Sequence, residues 1–172
     1  VPLDQKLASI HEALYAQMNF VDRISVAAYD RETDLLKTFL ASSPGHNDLV
    51  RYEARLSELP SLSEILRSGH PRVVNDFGIF RDGHHVHTKI LEGEGYRSSY
   101  TVPLYLDGSF WGFIFFNSRT SSQFSEAALR ALDVYAHLIS AVVTAEMLAV
   151  RILAAAIRTA HDMVHYRDPE TG

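Results

Sequence analysis

Ser98-Ser99-Tyr100-Thr101-Val102-Pro103-Leu104-Tyr105-Leu106-Asp107-Gly108-Ser109-Phe110-Trp111-Gly112-Phe113-Ile114-Phe115-Phe116-Asn117 is the stretch on which the fold turns. Ser98 to Tyr105 reads as a strand, Leu106-Asp107-Gly108 as a turn and Phe110 to Asn117 as a second strand. An Asp-Gly pair between two apolar runs is a strong hairpin signal. Phe113 to Phe116 is apolar without a break, so the second strand is expected in the middle of a sheet with both faces covered.

Toward the N-terminus, Leu3, Leu7, Ile10, Leu14 and Met18 recur every three or four residues and predict an amphipathic helix over residues 3–19. Arg23 to Tyr29 and Leu35 to Leu40 flank the polar turn Asp30-Arg31-Glu32-Thr33-Asp34 and predict an antiparallel pair. Residues 42–60 read as an irregular polar loop. Ser61, with Glu64 three residues on, reads as a capping box opening a helix from Leu62 to Arg67, stopped by Ser68-Gly69-His70-Pro71. Arg72 to Val74 reads as a short strand. The loop from Asn75 to Gly83 carries Phe77, Ile79 and Phe80, which are expected to cover a cavity or an edge of the core. His84 to Glu92 is assigned a short helix ended by Gly93 and Gly95.

From Ser125, a plausible N-cap, the chain holds no proline until Pro169 and no glycine until Gly172. One helix of about 40 residues, hence about 60 Å, is expected there. Leu129, Leu132, Ala136, Ile139, Val143, Glu146, Val150, Leu153, Ile157, Ala160 and Val164 alternate spacings of three and four, a coiled-coil register broken only by Glu146. Two uses of that stripe are compatible with the pattern. It packs on the domain's own sheet up to about Val143; beyond it, Val150, Leu153 and Ile157 require a partner, most simply a second copy of the chain. Leu132, Ile139 and Val143 are carried as dimer-helix candidates with them. Helix, two strands, helix, strand, helix, two strands and a long helix make an α+β fold. Its antiparallel sheet is flanked by helices mainly on one face.

Composition narrows function. The chain has no cysteine, which removes disulfides, thiol catalysis and thiolate metal sites and fits a cytoplasmic location. A net charge of −5 argues against nucleic acid as a partner. The apolar stretch from Leu138 to Ile157 contains Glu146 and Arg151, so membrane insertion is not expected. A first residue other than Met and an end at Gly172 read as an excised segment. No nucleophile elbow, phosphate loop or dinucleotide fingerprint is present, so the segment itself is expected to have no enzymatic activity.

Two resemblances sharpen this. The element order, together with Arg72-Val73-Val74-Asn75-Asp76, Gly95-Tyr96-Arg97-Ser98 with Val102-Pro103-Leu104, and Asp107-Gly108 with Trp111-Gly112-Phe113-Ile114, resembles the GAF fold, a relative of PAS domains, over about residues 5–145. The resemblance implies a sensory domain over residues 1–145 and a helical linker over 146–172. Cyclic-nucleotide-binding GAF domains carry an Asn-Lys…Phe…Asp-Glu signature. Asn117-Ser118 and Phe124-Ser125-Glu126 lack its lysine and acidic pair, so cyclic-nucleotide binding is not implied. Tyr166-Arg167-Asp168-Pro169-Glu170-Thr171-Gly172 resembles the opening of an HD-GYP domain, a metal-dependent phosphodiesterase of cyclic di-GMP. That resemblance implies a parent phosphodiesterase regulated by the GAF domain. Separately, the apolar stripe leads to the expectation of a homodimer joined through the N- and C-terminal helices.

The candidate ligand-binding residues are Asn75, Asp76, Phe77, Phe80, His84, His87 and Tyr100: a few polar groups among aromatics, as a small-molecule site requires. Asn75 and Asp76 equally suit local turn bonding, and Tyr100 equally suits sheet packing. Trp111 is expected in the core. His84, His85 and His87 are the metal candidates, and haem the candidate cofactor; a solvated loop is the plainer reading. His161 and His165 share a helix face with Asp162 between them, but a third ligand is lacking. Two readings without such a cofactor remain, a sensor of an unknown small molecule and a ligand-free dimerisation module.

Overall fold

The computed structural model describes residues 1–44, 52–77, 93 and 95–165 of the chain. Strand β1 (Arg23–Asp30) pairs with β2 (Leu35–Ser42), and β2 with the short β3 (Glu53–Arg55). Further on, β4 (Arg72–Val74) pairs with β5 (Ser98–Leu106), and β5 with β6 (Ser109–Ser118). Strands β1 and β6 then join the two halves, giving one antiparallel sheet in the order β3-β2-β1-β6-β5-β4. The apolar run Phe113–Phe116 therefore lies on an inner strand, as its composition requires.

Two glycines are demanded by this sheet. The β5–β6 turn places both Asp107 (φ 50°) and Gly108 (φ 75°) at positive φ, the backbone of a tight hairpin whose twist matches its strands. At Gly112, opposite Ala28, a Cβ would lie 1.9 Å from the Ala27 carbonyl oxygen. Strand β1 can approach β6 this closely only because no side chain is present.

Helix α1 (Leu3–Gln17) and helix α3 (Glu126–His165) cover one face. Their core joins Leu7, Leu14, Leu132, Ile139 and Val143 to Ile24, Val26, Ile114 and Phe116 of the sheet. On the other face, Leu62 and Ile65 of α2 (Pro60–Ser68) pack with Ala27, Leu36, Phe113 and Phe115. Helices thus lie on both faces, the longer two together on one. Trp111 is half-buried against the rim of the first core and meets Phe39 edge to face.

The segment expected as an irregular loop, 42–60, holds more structure than its polarity indicates. Strand β3 and a 3-10 turn, Leu56–Glu58, occupy its second half. Asp34 pins them: its carboxylate accepts from the Tyr29 hydroxyl at 2.9 Å and from the Ser57 backbone N–H at 3.2 Å. The bonds from Ser57, then that from Tyr29, hold the Asp34 carboxyl below its ordinary pKa. The capping box at Ser61 is not formed. Helix α2 starts two residues earlier than expected, with Pro60 in its first turn and no side-chain cap, since proline at this position needs no hydrogen-bond partner. Glu64 instead pairs with Arg67. Gly69 closes the helix at φ 71°, its N–H on the Ile65 carbonyl.

Ser125 caps α3, its hydroxyl oxygen accepting from the Ala128 N–H at 3.2 Å. Leu132, Ala136, Ile139 and Val143 are buried, and none beyond Val143 is. Leu132, Ile139 and Val143 therefore belong to the core of their own domain and cannot form a dimer seam, a correction to their use as dimer-helix positions. The sheet reached them first.

His11 ties α1 to the sheet. Its Nε2–H donates to the Val21 carbonyl at 2.7 Å, which leaves Nδ1 to accept from the Ser42 hydroxyl at 2.9 Å. The neutral ring is fully satisfied and fully buried, and burial lowers its pKa. Because the folded pKa is depressed, the unfolded chain binds the proton more readily in the window below about pH 6.5. Stability is complete above that value and declines as the pH falls toward the lowered folded one. Urea midpoints at pH 7.5 and 5.5 are expected to show this decline, and His11→Gln to remove that component of it. Gly112→Ala is expected to cost about 3 kcal/mol or more in urea unfolding, since backbone rather than a flexible side chain must yield.

Candidate functional site

Side chains alternate across a strand, so the pairing register sorts every residue of the sheet onto one of two faces. On the face away from α1 and α3, three rows run across the strands. The first is Val74, Ser99, Asn117 and Arg23; the second is Arg72, Thr101, Phe115 and Ser25; the third includes Pro103, Phe113 and Ala27. The rows grade from apolar, where α2 covers the third, to polar in the first.

The polar row is buried. Ser99, Asn117 and Arg23 are at most 4% exposed, and Thr101 and Ser25 behind them are 3% exposed. Asn117 is wholly enclosed, and neither Oδ1 nor Nδ2 of its amide has a hydrogen-bond partner among the described residues. A buried polar group left unpaired costs about 1–3 kcal/mol. Arg72 is partly withdrawn from water, and that burial lowers its pKa from the ordinary arginine value.

One corner of this face is built by the chain on either side of residues 78–92. Phe77 is 1% exposed and clusters with Val74 and Tyr96. Its N–H donates to the Arg97 carbonyl at 2.7 Å, and the Arg97 N–H to that of Ser118 at 2.8 Å. The Asn75 carbonyl accepts from the Ser122 N–H at 2.7 Å. Asp76 pairs with Arg97 at 3.4 Å on the surface, and the Arg119 guanidinium lies over the Tyr96 ring at 4.6 Å. Asn75, Asp76 and Phe77 are therefore neighbours of the first row, adjoining it through Val74.

Tyr100 is not. It follows Ser99 on β5, so it points to the opposite face, where it stacks on Phe116 at 6.1 Å. Its hydroxyl donates to Asp133 of α3 at 2.5 Å. Burial, then the Asp133 carboxylate, push its pKa well above that of a free tyrosine. Of the two readings of Tyr100, a candidate ligand contact or a residue of sheet packing, the structure shows the packing: Tyr100 joins the sheet to α3. Phe80, His84, His85 and His87 lie outside the described residues. His161 and His165 stack on exposed helix, and no group of three or more potential metal ligands occurs among the described residues.

Sequence reading missed Asn117, Ser99 and Arg23 as a group. The signal was available in part: Asn117 directly follows the apolar run of β6, where a polar residue of the same alternation as Phe113 and Phe115 must face the same side.

The fold is an α+β domain with one enclosed polar face on its sheet. The GAF domain family profile matches residues 2–143, and the chain belongs to that family. A phycocyanobilin-bound GAF domain from a cyanobacterial phytochrome is similar in structure, with a TM-score of 0.66 at 15% identity over 87% of this chain and 88% of that one. Free methionine-R-sulfoxide reductase from Neisseria meningitidis, in complex with its substrate, gives 0.63 at 20% identity over 86% and 81%. A GAF domain/HD domain protein from Geobacter sulfurreducens gives 0.63 at 17% over 86% and 94%. No curated protein matches the chain in sequence.

Phe77 has almost no exposure, so Phe77→Ala is expected to lower unfolding stability by about 3 kcal/mol, read by urea denaturation.

Proposed function

We propose that this domain senses a small molecule on the polar face of the sheet and passes its state through α3. GAF domains are a small-molecule-binding family of signalling and regulatory domains. The carrying observation is the enclosed, unpartnered amide of Asn117 within a buried polar row. A buried group of this kind calls for a partner, which a bound ligand would supply. The reductase among the structural relatives is an enzyme, so the fold by itself does not exclude chemistry. Among the described residues, however, this face carries hydroxyls, an amide and guanidinium groups without an evident nucleophile–base pair.

The output side is α3. From Val143 to His165 it runs 22 residues, about 33 Å, past its last buried position. Val150, Leu153 and Ile157 are 52, 61 and 60% exposed. By length and composition this helix could also cross a membrane, with a mean hydropathy of 1.9 over its best window. The heptad spacing, together with Glu146, Arg151 and Arg158 within the extension, favours a second copy as its partner. Arg151 also pairs with Asp107 of the β5–β6 turn at 3.3 Å, which holds the helix beside its own domain. Ligand on one face would reach α3 through the sheet and the Tyr100–Asp133 bond, provided it binds one arrangement better than the other.

The resemblance of Tyr166–Gly172 to the opening of an HD-GYP domain, and the structural likeness to a GAF/HD protein, support an attached cyclic di-GMP phosphodiesterase as the target. Residues 166–172 lie outside the described residues. Three measurements test the reading. Small molecules extracted from purified protein are expected to include a stoichiometric ligand by mass spectrometry. Ile157→Asp is expected to weaken dimerisation about a hundredfold in sedimentation while leaving thermal unfolding of the domain unchanged, as loss of a central hot spot does. Protein expressed with its downstream sequence is expected to hydrolyse cyclic di-GMP. An unliganded monomer without that activity would overturn the proposal.

A further inference from the structure

We infer that Asn117 recognises a small planar ligand that presents adjacent hydrogen-bond donor and acceptor atoms: a carboxamide, a lactam or an amino-substituted aza-ring. This rests on the sensing reading above and names the chemistry of its ligand.

The argument begins with what the amide lacks. A side-chain carboxamide offers two N–H donors and one carbonyl acceptor in a single plane. In Asn117 the donor and the acceptor are both enclosed and both without partners among the described residues. A carboxylate or phosphate carries only acceptors. It would satisfy Nδ2 and set a negative charge beside the unpaired Oδ1. An ammonium would satisfy Oδ1 and leave Nδ2 facing positive charge. Among ring-bearing ligands, one with donor and acceptor side by side in its plane satisfies both at once with two hydrogen bonds, the geometry by which asparagine reads the edge of a heterocyclic base.

The surroundings suit such a ligand. Ser99 and Arg23 are the direct cross-strand partners of Asn117, so their side chains flank it at about 5 Å. Behind it on the same face stands Phe115, and beyond Ser99 lies the Val74, Phe77 and Tyr96 cluster. The amide thus sits among polar side chains of its own row, with aromatic side chains adjoining that row.

A role in folding alone makes a different prediction. Were the amide there only to build the domain, an apolar residue of similar size would serve better, because an unsatisfied buried dipole would be removed. Retaining a group that weakens the free protein is the signature of a binding position.

The test uses 15N-labelled full chain with four probes: uracil and nicotinamide, which carry the donor–acceptor edge, and benzoate and phenol, which do not. Expected are saturable shifts of the Asn117 side-chain amide resonances with uracil or nicotinamide, and weaker binding of benzoate and phenol. Asn117→Leu is expected to keep or raise the thermal midpoint of the free protein and to raise the Kd of the edge-bearing probe about tenfold to a hundredfold. Asn117→Gln guards against a general packing defect, since it should retain part of the binding. If benzoate or phenol binds as well as uracil and Asn117→Leu changes nothing, the ligand class is overturned while the sensing site stands. If no probe moves any resonance of the polar face and extraction yields no bound molecule, both fall. An Asn117→Leu protein that is stabilised with unchanged affinity for every probe assigns the amide to bound water alone and also overturns the inference.

Discussion

Everything in this domain depends on strand β6 being covered on both sides. Its side chains alternate, and neither alternating set is polar over Phe113–Phe116, so the strand is stable only with a layer packed on each face. Helices α1 and α3 supply one layer and α2 part of the other. The close passage of β1 over Gly112 gives the sheet its continuity, since β1–β6 is the only seam joining the two halves of the observed strand order.

The two coverings differ in chemistry. On the helix side the core is largely apolar, and two hydrogen-bonded ties, His11 to Ser42 of β2 and Tyr100 to Asp133, each join a helix to the sheet. On the opposite side the apolar rows under α2 give way to a buried polar row around Asn117. Ser99, Asn117 and Arg23 face that row. Tyr100, Phe116 and Ile24, their immediate chain neighbours, face α1 and α3. The polar row and the residues packed against α1 and α3 are thus adjacent along each strand, one residue apart.

Much of the scaffold was legible in the residues. The Asp107-Gly108 hairpin, the Gly69 stop, the Ser125 cap and the length of the last helix are local events, each determined by backbone conformations that few residue types accept. Strand β3 and the 3-10 turn were not legible, because three residues of strand carry no periodicity. They exist through pairing with β2 and through Asp34, which comes from 19 residues before β3 begins. Ser61 and Glu64 had the spelling of a capping box, but Pro60 had already opened the helix. The candidate site was legible only at its edge. Asn75, Asp76 and Phe77 adjoin the polar face, whereas for Tyr100 the sequence left ligand contact and sheet packing open, and strand alternation turned it toward α3.

The sequence by itself determined the two hairpins, the apolar inner strand, the extent of the last helix and the lack of thiol chemistry, because these follow from local conformational preference and composition. Tertiary structure alone decided which half of each strand faces which layer. It withdrew Leu132, Ile139 and Val143 from any dimer seam, moved Tyr100 to the helix side, and set Asn117 between Ser99 and Arg23. The reason is physical: a strand's alternation is visible in one dimension, but which alternating set meets water, helix or ligand depends on pairing between residues far apart in the chain. Register carries that information, and it forms only when the sheet does.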